Sequence, residues 1–197
     1  MSKEWYNYLW IVTPVYLILG VFNILFAWIG LIFFMTPLLL AIFNKNKIYC
    51  NKYCDRGMFL QLLGKKLKFS RNKQSPSWLV SKYFRYGFMI FFLLMFLQLL
   101  WITFLVFKEI REAKEVVKLF WTFKIGWNWT NSSTKEVSPW LIQFAYGFYS
   151  MMLTSNLIGI IFMILYKPRT WCTFCPMGTM TQLICKFYVK RENGKRS

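Results

Sequence analysis

The chain has 197 residues, of which 57% are apolar, and carries 25 Lys/Arg against 7 Asp/Glu for a net charge of +18. It contains no histidine, which excludes bis-His haem, His-ligated zinc or copper, and His-based acid–base catalysis. All seven carboxylates fall outside the apolar runs, so neither a buried proton relay nor a hydrolytic carboxylate pair is available, and cysteine is the only residue type left with redox or metal chemistry.

The apolar residues lie in long blocks, which read as membrane spans, and the mean hydropathy is +0.38. The first block, Leu9 to Phe43, is too long for one comfortable helix, since a span takes about 20 residues. Pro14, Gly20, Asn23 and Gly30 interrupt it. We read a compact hairpin with helices near 6–21 and 25–43 and a short turn at Gly20–Asn23; a single tilted or kinked helix is the competing reading.

Asn44 to Arg85 holds eleven Lys/Arg and one acid, Asp55, an asymmetry that predicts a cytoplasmic loop. It contains the pair Cys50-x-x-x-Cys54, a short apolar stub at Met58–Leu63, a turn at Gln74–Ser77, and Trp78 and Tyr83 as interface anchors. Tyr83 to Phe107 is an apolar span.

Lys108 to Pro139 differs in kind, with six basic residues, four acidic ones and the indoles Trp121, Trp127 and Trp129. Interleaved charge such as Arg111/Glu115 predicts a helix supported by i,i+4 pairs, and the indoles suit an interface. The expectation is an extracytoplasmic amphipathic segment over 108–139, lying on the bilayer. Asn128-Trp-Thr and Asn131-Ser-Ser match the glycosylation acceptor triplet, a pattern frequent by chance that carries no functional weight.

Trp140 to Tyr166 is the last span, with Asn156 beside Ser155 and Gly159 read as helix-packing residues. Lys167-Pro168-Arg169 ends it and leads into Cys172-Thr-Phe-Cys175-Pro176. From Lys167 to Ser197 there are seven basic residues and one acid, which again predicts the cytoplasmic side. Both cysteine pairs therefore fall on one face, and the basic residues are explained by membrane topology rather than by nucleic-acid binding.

Aligning Cys54 with Cys175 also superposes Gly57 on Gly178, Gln61 on Gln182, Leu62 on Leu183 and Lys65 on Lys186. Identities at a constant offset, each set following an apolar run, indicate an internal repeat: about 6–82 and 83–197 of a single membrane domain spanning 1–197. Cys185 aligns with Gly64 and reads as a packing residue.

A site shared between the repeats would hold Cys50, Cys54, Cys172 and Cys175. Disulfides are disfavoured in a reducing compartment. Four thiolates suit zinc or an iron–sulfur cluster, and Cys-x-x-Cys-Pro favours the latter. Each second cysteine opens a predicted short helix (Asp55–Leu63 and Pro176–Cys185). Pro176 sits at the first helical position, and Lys52, Arg56, Lys167 and Arg169 lie near an anionic site. Zinc and unligated thiols remain alternatives from the residues alone.

The stretch Lys167–Thr179, together with Cys50-x-x-x-Cys54-x-Arg56-Gly57-x-Phe59-Leu60, resembles the membrane 4Fe-4S binding proteins of the NapH/NosR-type polyferredoxin family, in particular the small clostridial-type form. The similarity runs from the Val12–Pro14 region to Gln182. It implies a bacterial inner-membrane protein with cytoplasmic cysteines and C-terminus, and carries Cys50, Cys54, Cys172 and Cys175 over as ligands of a [4Fe-4S] cluster. Asp55 stands where the family usually has proline, and the ferredoxin motifs of larger members are missing.

These readings combine into an all-α membrane protein of four transmembrane helices. They form two pseudo-repeated hairpins, each followed by a cytoplasmic cysteine pair and a short helix. The expected role is an electron-transfer component rather than a stand-alone enzyme, embedded in the lipid bilayer and served by an acidic soluble carrier or a redox partner subunit. Against it stands a structural or assembly subunit with a zinc or non-redox site; a transporter is disfavoured by the lack of buried charge.

Overall fold

The computed structural model describes residues 5–44, 53–66, 68–120, 122–125 and 137–193. The long apolar blocks form helices, as sequences with few turn residues and no nearby water must to satisfy their own backbone. Three helical stretches, Ile24–Phe43, Lys82–Phe107 and Pro139–Leu165, are long and apolar enough to cross a membrane, and this suggests a membrane protein. Tyr8–Phe22 is apolar but shorter, so by length the spans number three among the described residues where four were expected.

The N-terminal block is two helices. A 3-10 turn, Trp5–Ile11, leads into α1 (Val12–Phe22); the chain turns extended at Asn23, and a second 3-10 turn, Ile24–Phe26, leads into α2 (Ala27–Asn44). Asn23 caps that restart by accepting from the Leu25 N–H at 3.0 Å. The Tyr16 hydroxyl reaches the Ala27 carbonyl, so the segments fold back on each other as a hairpin rather than continuing as one kinked helix.

Further on lie α3 (Asp55–Gln61) with a π-helical turn at Leu62–Lys66, α4 (Ser77–Val80) and α5 (Lys82–Phe107). A two-stranded hairpin pairs β1 (Lys118–Leu119) with β2 (Phe123–Lys124), and α6 (Pro139–Leu165), α7 (Thr170–Phe174) and α8 (Pro176–Asn193) follow. The helix expected around Arg111/Glu115 does not form: Glu112 to Val117 has no regular secondary structure and leads into the hairpin. Trp121 and the residues around Trp127, Asn128, Trp129 and Asn131 lie outside the described residues.

The chain divides into two compact units whose boundaries fall inside the long helices. The first gathers Met1–Thr13, Ile32–Phe92 and Gly159–Ser197. Its interior is aromatic: Phe84, Phe88, Phe162, Trp171 and Phe174 meet mostly edge to face with centroids 5.0–5.8 Å apart. Leu60 and Leu79 are fully buried with them. The connection after α3 is pinned by the Ser70 hydroxyl on the Tyr166 carbonyl and by the Arg71 N–H on the Ile164 carbonyl.

The second unit gathers Pro14–Leu31 and Leu93–Ile158. Small residues let its helices close up: a Cβ on Gly20 would sit 2.2 Å from the Tyr149 ring, and one on Gly147 would sit 2.1 Å from Leu99. The Tyr149 hydroxyl donates to the Leu17 carbonyl at 2.8 Å. Asn156 is buried, but its amide nitrogen bonds to no partner among the described residues.

Candidate metal centre

The site lies in the first unit, where the two cysteine segments share a local geometry. Cys54 directly precedes α3 and Cys175 directly precedes α8. Each lends its carbonyl to the amide four residues on: Met58 N–H donates to Cys54 and Thr179 N–H to Cys175, both at 3.0 Å. Met58 and Thr179 are themselves equivalent in the repeat, so both copies build the same turn. Pro176 occupies the first position of α8, where its missing N–H has no helical partner to lose. The helix it opens runs to Asn193, well past the expected end at Cys185.

Cys172 sits inside α7, the one-turn helix that Thr170 starts, and Cys175 closes that turn by donating its N–H to the Trp171 carbonyl. This short spacing keeps both thiols of the second pair close together. Cys172 is exposed, whereas Cys54, Cys175 and Cys185 are partly buried. Cys50, the remaining predicted ligand, lies outside the described residues.

Gly57 marks where the two copies meet. A Cβ built on it would lie 3.5 Å from both the Cys54 and the Cys172 sulfurs. The sulfurs therefore flank one point, although the cysteines are far apart in sequence. The Gly57 N–H also donates to the Cys54 sulfur at 3.4 Å. Among the described residues no three Cys, Asp or Glu side chains close on a single ion. Tetrahedral thiolates around one zinc would stand about 3.8 Å apart at a Zn–S distance near 2.3 Å; a cluster takes its thiolates on separate iron atoms and accepts a wider ring.

The Cys54 thiol is pushed well above the usual thiol range. Burial is the main cause, because protein atoms crowd the sulfur even though the residue keeps some accessible surface. The Asp55 carboxylate adds to the rise, followed by the neighbouring Cys172 and Cys175, while the Gly57 N–H opposes it. The crowding thus makes it unfavourable for Cys54 to ionise alone, and a cationic iron centre is the kind of group that relieves it.

Asp55 is held by the Thr13 hydroxyl at 2.9 Å, a contact that sequence reading did not anticipate. Trp171, one residue before Cys172, is buried with its indole N–H unpaired among the described residues. The glycine opening and the all-thiol donor set fit an iron–sulfur group. Of the cations expected around it, Lys167 and Arg169 are exposed and Lys52 lies outside the described residues.

A family model described as a 4Fe-4S binding domain matches the chain in two segments, residues 26–74 and 150–195. Each contains one cysteine pair. The match supports an iron–sulfur protein and does not extend to the narrower NapH/NosR-type polyferredoxin group. No curated protein and no solved structure matches the chain.

Proposed function

We propose that this chain is a membrane-bound iron–sulfur electron-transfer protein. In this reading Cys50, Cys54, Cys172 and Cys175 hold a [4Fe-4S] cluster that relays electrons between a cytoplasmic carrier or partner subunit and a membrane-associated oxidoreductase. The observation that carries it is the position of Gly57, with a sulfur from each repeat 3.5 Å from the point its Cβ would occupy. When bound, the cluster supplies reversible one-electron transfer. The chain's own residues do the rest: Gly57 keeps the space between the thiols open and donates to Cys54, and α8 points its N-terminus at Cys175, where partial positive charge favours thiolate.

The charge pattern supports the placement in a bacterial inner membrane with the cysteines on the cytoplasmic side. Lys65, Lys66, Lys68, Arg71 and Lys73 are exposed on the segment after α3, and a basic surface there steers an acidic carrier. One cluster does not by itself bridge about 30 Å of hydrocarbon, so electrons that cross need a redox partner subunit.

Anaerobic purification followed by iron and acid-labile sulfide analysis and EPR tests the reading. Four iron and four sulfide per chain, with an EPR signal on reduction, are expected. One zinc per chain, or a cluster that cannot be reduced, sinks the relay and leaves a structural role.

A further inference from the structure

Arg85 stands in the first turn of α5, within the first unit, between two rings that pack on the second cysteine segment. The Phe84 ring meets Phe174 edge to face with centroids 5.6 Å apart, and the Phe88 ring meets Trp171 and Phe174 at 5.8 and 5.5 Å. Trp171 and Phe174 directly precede Cys172 and Cys175 in the chain. The start of α5 is therefore fixed beside the turn that carries that pair.

The Arg85 side chain reaches α8, where its Nη2 donates to Gln182 Oε1. Gln182 is seven residues past Cys175, or two helical turns, so both lie on one side of α8 about 10 Å apart along its axis. Side chains on a helix lean toward its N-terminus. That lean tips the Gln182 amide, and the guanidinium bonded to it, toward Cys175.

No anion of the fold accounts for this cation. The Arg85 Nε is shut off from solvent without a hydrogen-bond partner, and no carboxylate pairs with the guanidinium among the described residues. Asp55 is held by Thr13, α5 contains no acid, and Glu192 of α8 stands ten residues past Gln182, about 15 Å farther from the cysteines. A partly buried guanidinium without a counter-charge costs free energy. The cysteine site offers one: four thiolates around an iron–sulfur core leave net negative charge, which grows by one on reduction, and local charge sets the potential of such a centre.

We propose that Arg85, held by Gln182 on the Cys175 side of α8, supplies the counter-charge that raises the reduction potential of the cluster. This rests on the reading of Cys50, Cys54, Cys172 and Cys175 as its ligands. One electron arrives from the soluble carrier, or in the test from a chemical reductant; no bond breaks, and the added negative charge faces Arg85. The test is a mediated redox titration followed by EPR on the full chain, purified anaerobically in detergent, with iron content as the folding control. Arg85→Gln should shift the equilibrium about tenfold against the reduced form, a fall of about 59 mV for one electron. Gln182→Glu sets a carboxylate against the guanidinium and should lower the potential likewise; it decides the matter should Arg85→Gln lose iron. The double variant Arg85→Gln/Gln182→Lys returns a positive charge to the same place and should restore the potential. Lys186→Gln removes a cation one turn farther from Cys175 and should leave it near the wild-type value. Wild-type potential in Arg85→Gln or Gln182→Glu overturns the proposal alone, as does an equal fall in Lys186→Gln, which would assign the effect to net charge at large. A wild-type chain without a reducible cluster overturns it together with the reading on which it rests.

Discussion

The Thr13 hydroxyl donates to Asp55 Oδ2 at 2.9 Å, tying the carboxylate beside Cys54 to the start of α1 across 42 residues of sequence. Asp55 is also the strongest charged contributor to the raised pKa of the Cys54 thiol. Removing the charge with Asp55→Asn should lower that pKa and raise the midpoint potential of the bound cluster, because the extra electron no longer faces a neighbouring carboxylate. Thr13→Val keeps the charge and removes the tether; it should cost about 1.5–3 kcal/mol, toward the lower end because Asp55 keeps some solvent access. Redox titration followed by EPR separates the two. Equal potentials for wild type and Asp55→Asn would show that the carboxylate does not sense the site.

Gly57 is the most demanding position of the site. Alanine there would bring a methyl group into ordinary contact with two sulfurs, and valine would fill the space between them. Iron per chain should fall in Gly57→Ala and vanish in Gly57→Val. The repeat partner is a control: a Cβ on Gly178 meets only the Cys172 carbonyl at 3.7 Å and the Cys175 Cβ at 3.9 Å, so Gly178→Ala should load normally. Full iron content in Gly57→Val would mean that the cluster is held elsewhere.

The raised pKa of the Cys54 thiol makes metal-free protein pH-dependent in a defined direction. The unfolded thiol ionises first, so between the usual thiol pKa and the higher folded value the unfolded state binds fewer protons. Stability is then fully present below the usual thiol range and is lost as pH rises toward the folded pKa. Cluster assembly runs the other way, since ligation expels the proton, and reconstitution should improve from neutral to mildly alkaline pH. Iodoacetamide mapping of metal-free protein should find Cys54 alkylated more slowly than an unfolded-chain control near pH 8. A Cys54 that reacts as fast as in that control contradicts the shift.

Gly64 shows how far the repeat can be read from residues alone. The offset that pairs Cys54 with Cys175 predicts matching helix starts, and the two carbonyl–amide turns are equivalent. The break at Asn23 was likewise visible, since an asparagine between apolar runs is a cap as much as an interruption. At Gly64 the copies diverge: Cys185 stands at the equivalent position, but a Cβ on Gly64 would be 2.8 Å from the Pro168 ring. That long-range packing has no local signature. Neither does the fate of 112–125, where interleaved charges mimic an i,i+4 helix while the backbone donors are answered by Gln143, Ser150 and Thr154. Asp55, read as a departure at a proline position, gave no hint of Thr13.

The same clash supplies a stability prediction. Gly64→Ala should destabilise the protein by about 1–3 kcal/mol, the usual cost of overpacking against a ring that cannot swing away. Gly87→Ala, with nothing within 4 Å of its added Cβ, should be neutral or slightly stabilising in the helix. Thermal unfolding in detergent followed by tryptophan fluorescence compares them. Equal midpoints for Gly64→Ala and wild type would show that the π-helical turn after α3 does not pack on Pro168.

Ser150 links the hairpin to α6 through both of its hydrogen-bonding functions. Its oxygen accepts from the Lys118 N–H at 3.0 Å, and its hydroxyl donates to the Tyr146 carbonyl at 2.7 Å. The donation to Tyr146 is expendable, because that carbonyl keeps its place in the helix ladder. The acceptance from Lys118 is not, because an amide beside a buried helix face has no water to turn to. Ser150→Ala should therefore leave α6 intact and cost about 1–3 kcal/mol, the penalty of an unpaired backbone donor, expressed locally as loosening of the hairpin. Hydrogen exchange should speed up across Val117–Ile125 and stay unchanged in α5 and α6. Ser150→Thr retains the acceptor oxygen and should restore protection, which separates loss of the hydrogen bond from a general effect of substitution at that site. Unchanged exchange over the hairpin in Ser150→Ala would mean that its attachment rests on Gln143 and Thr154 alone.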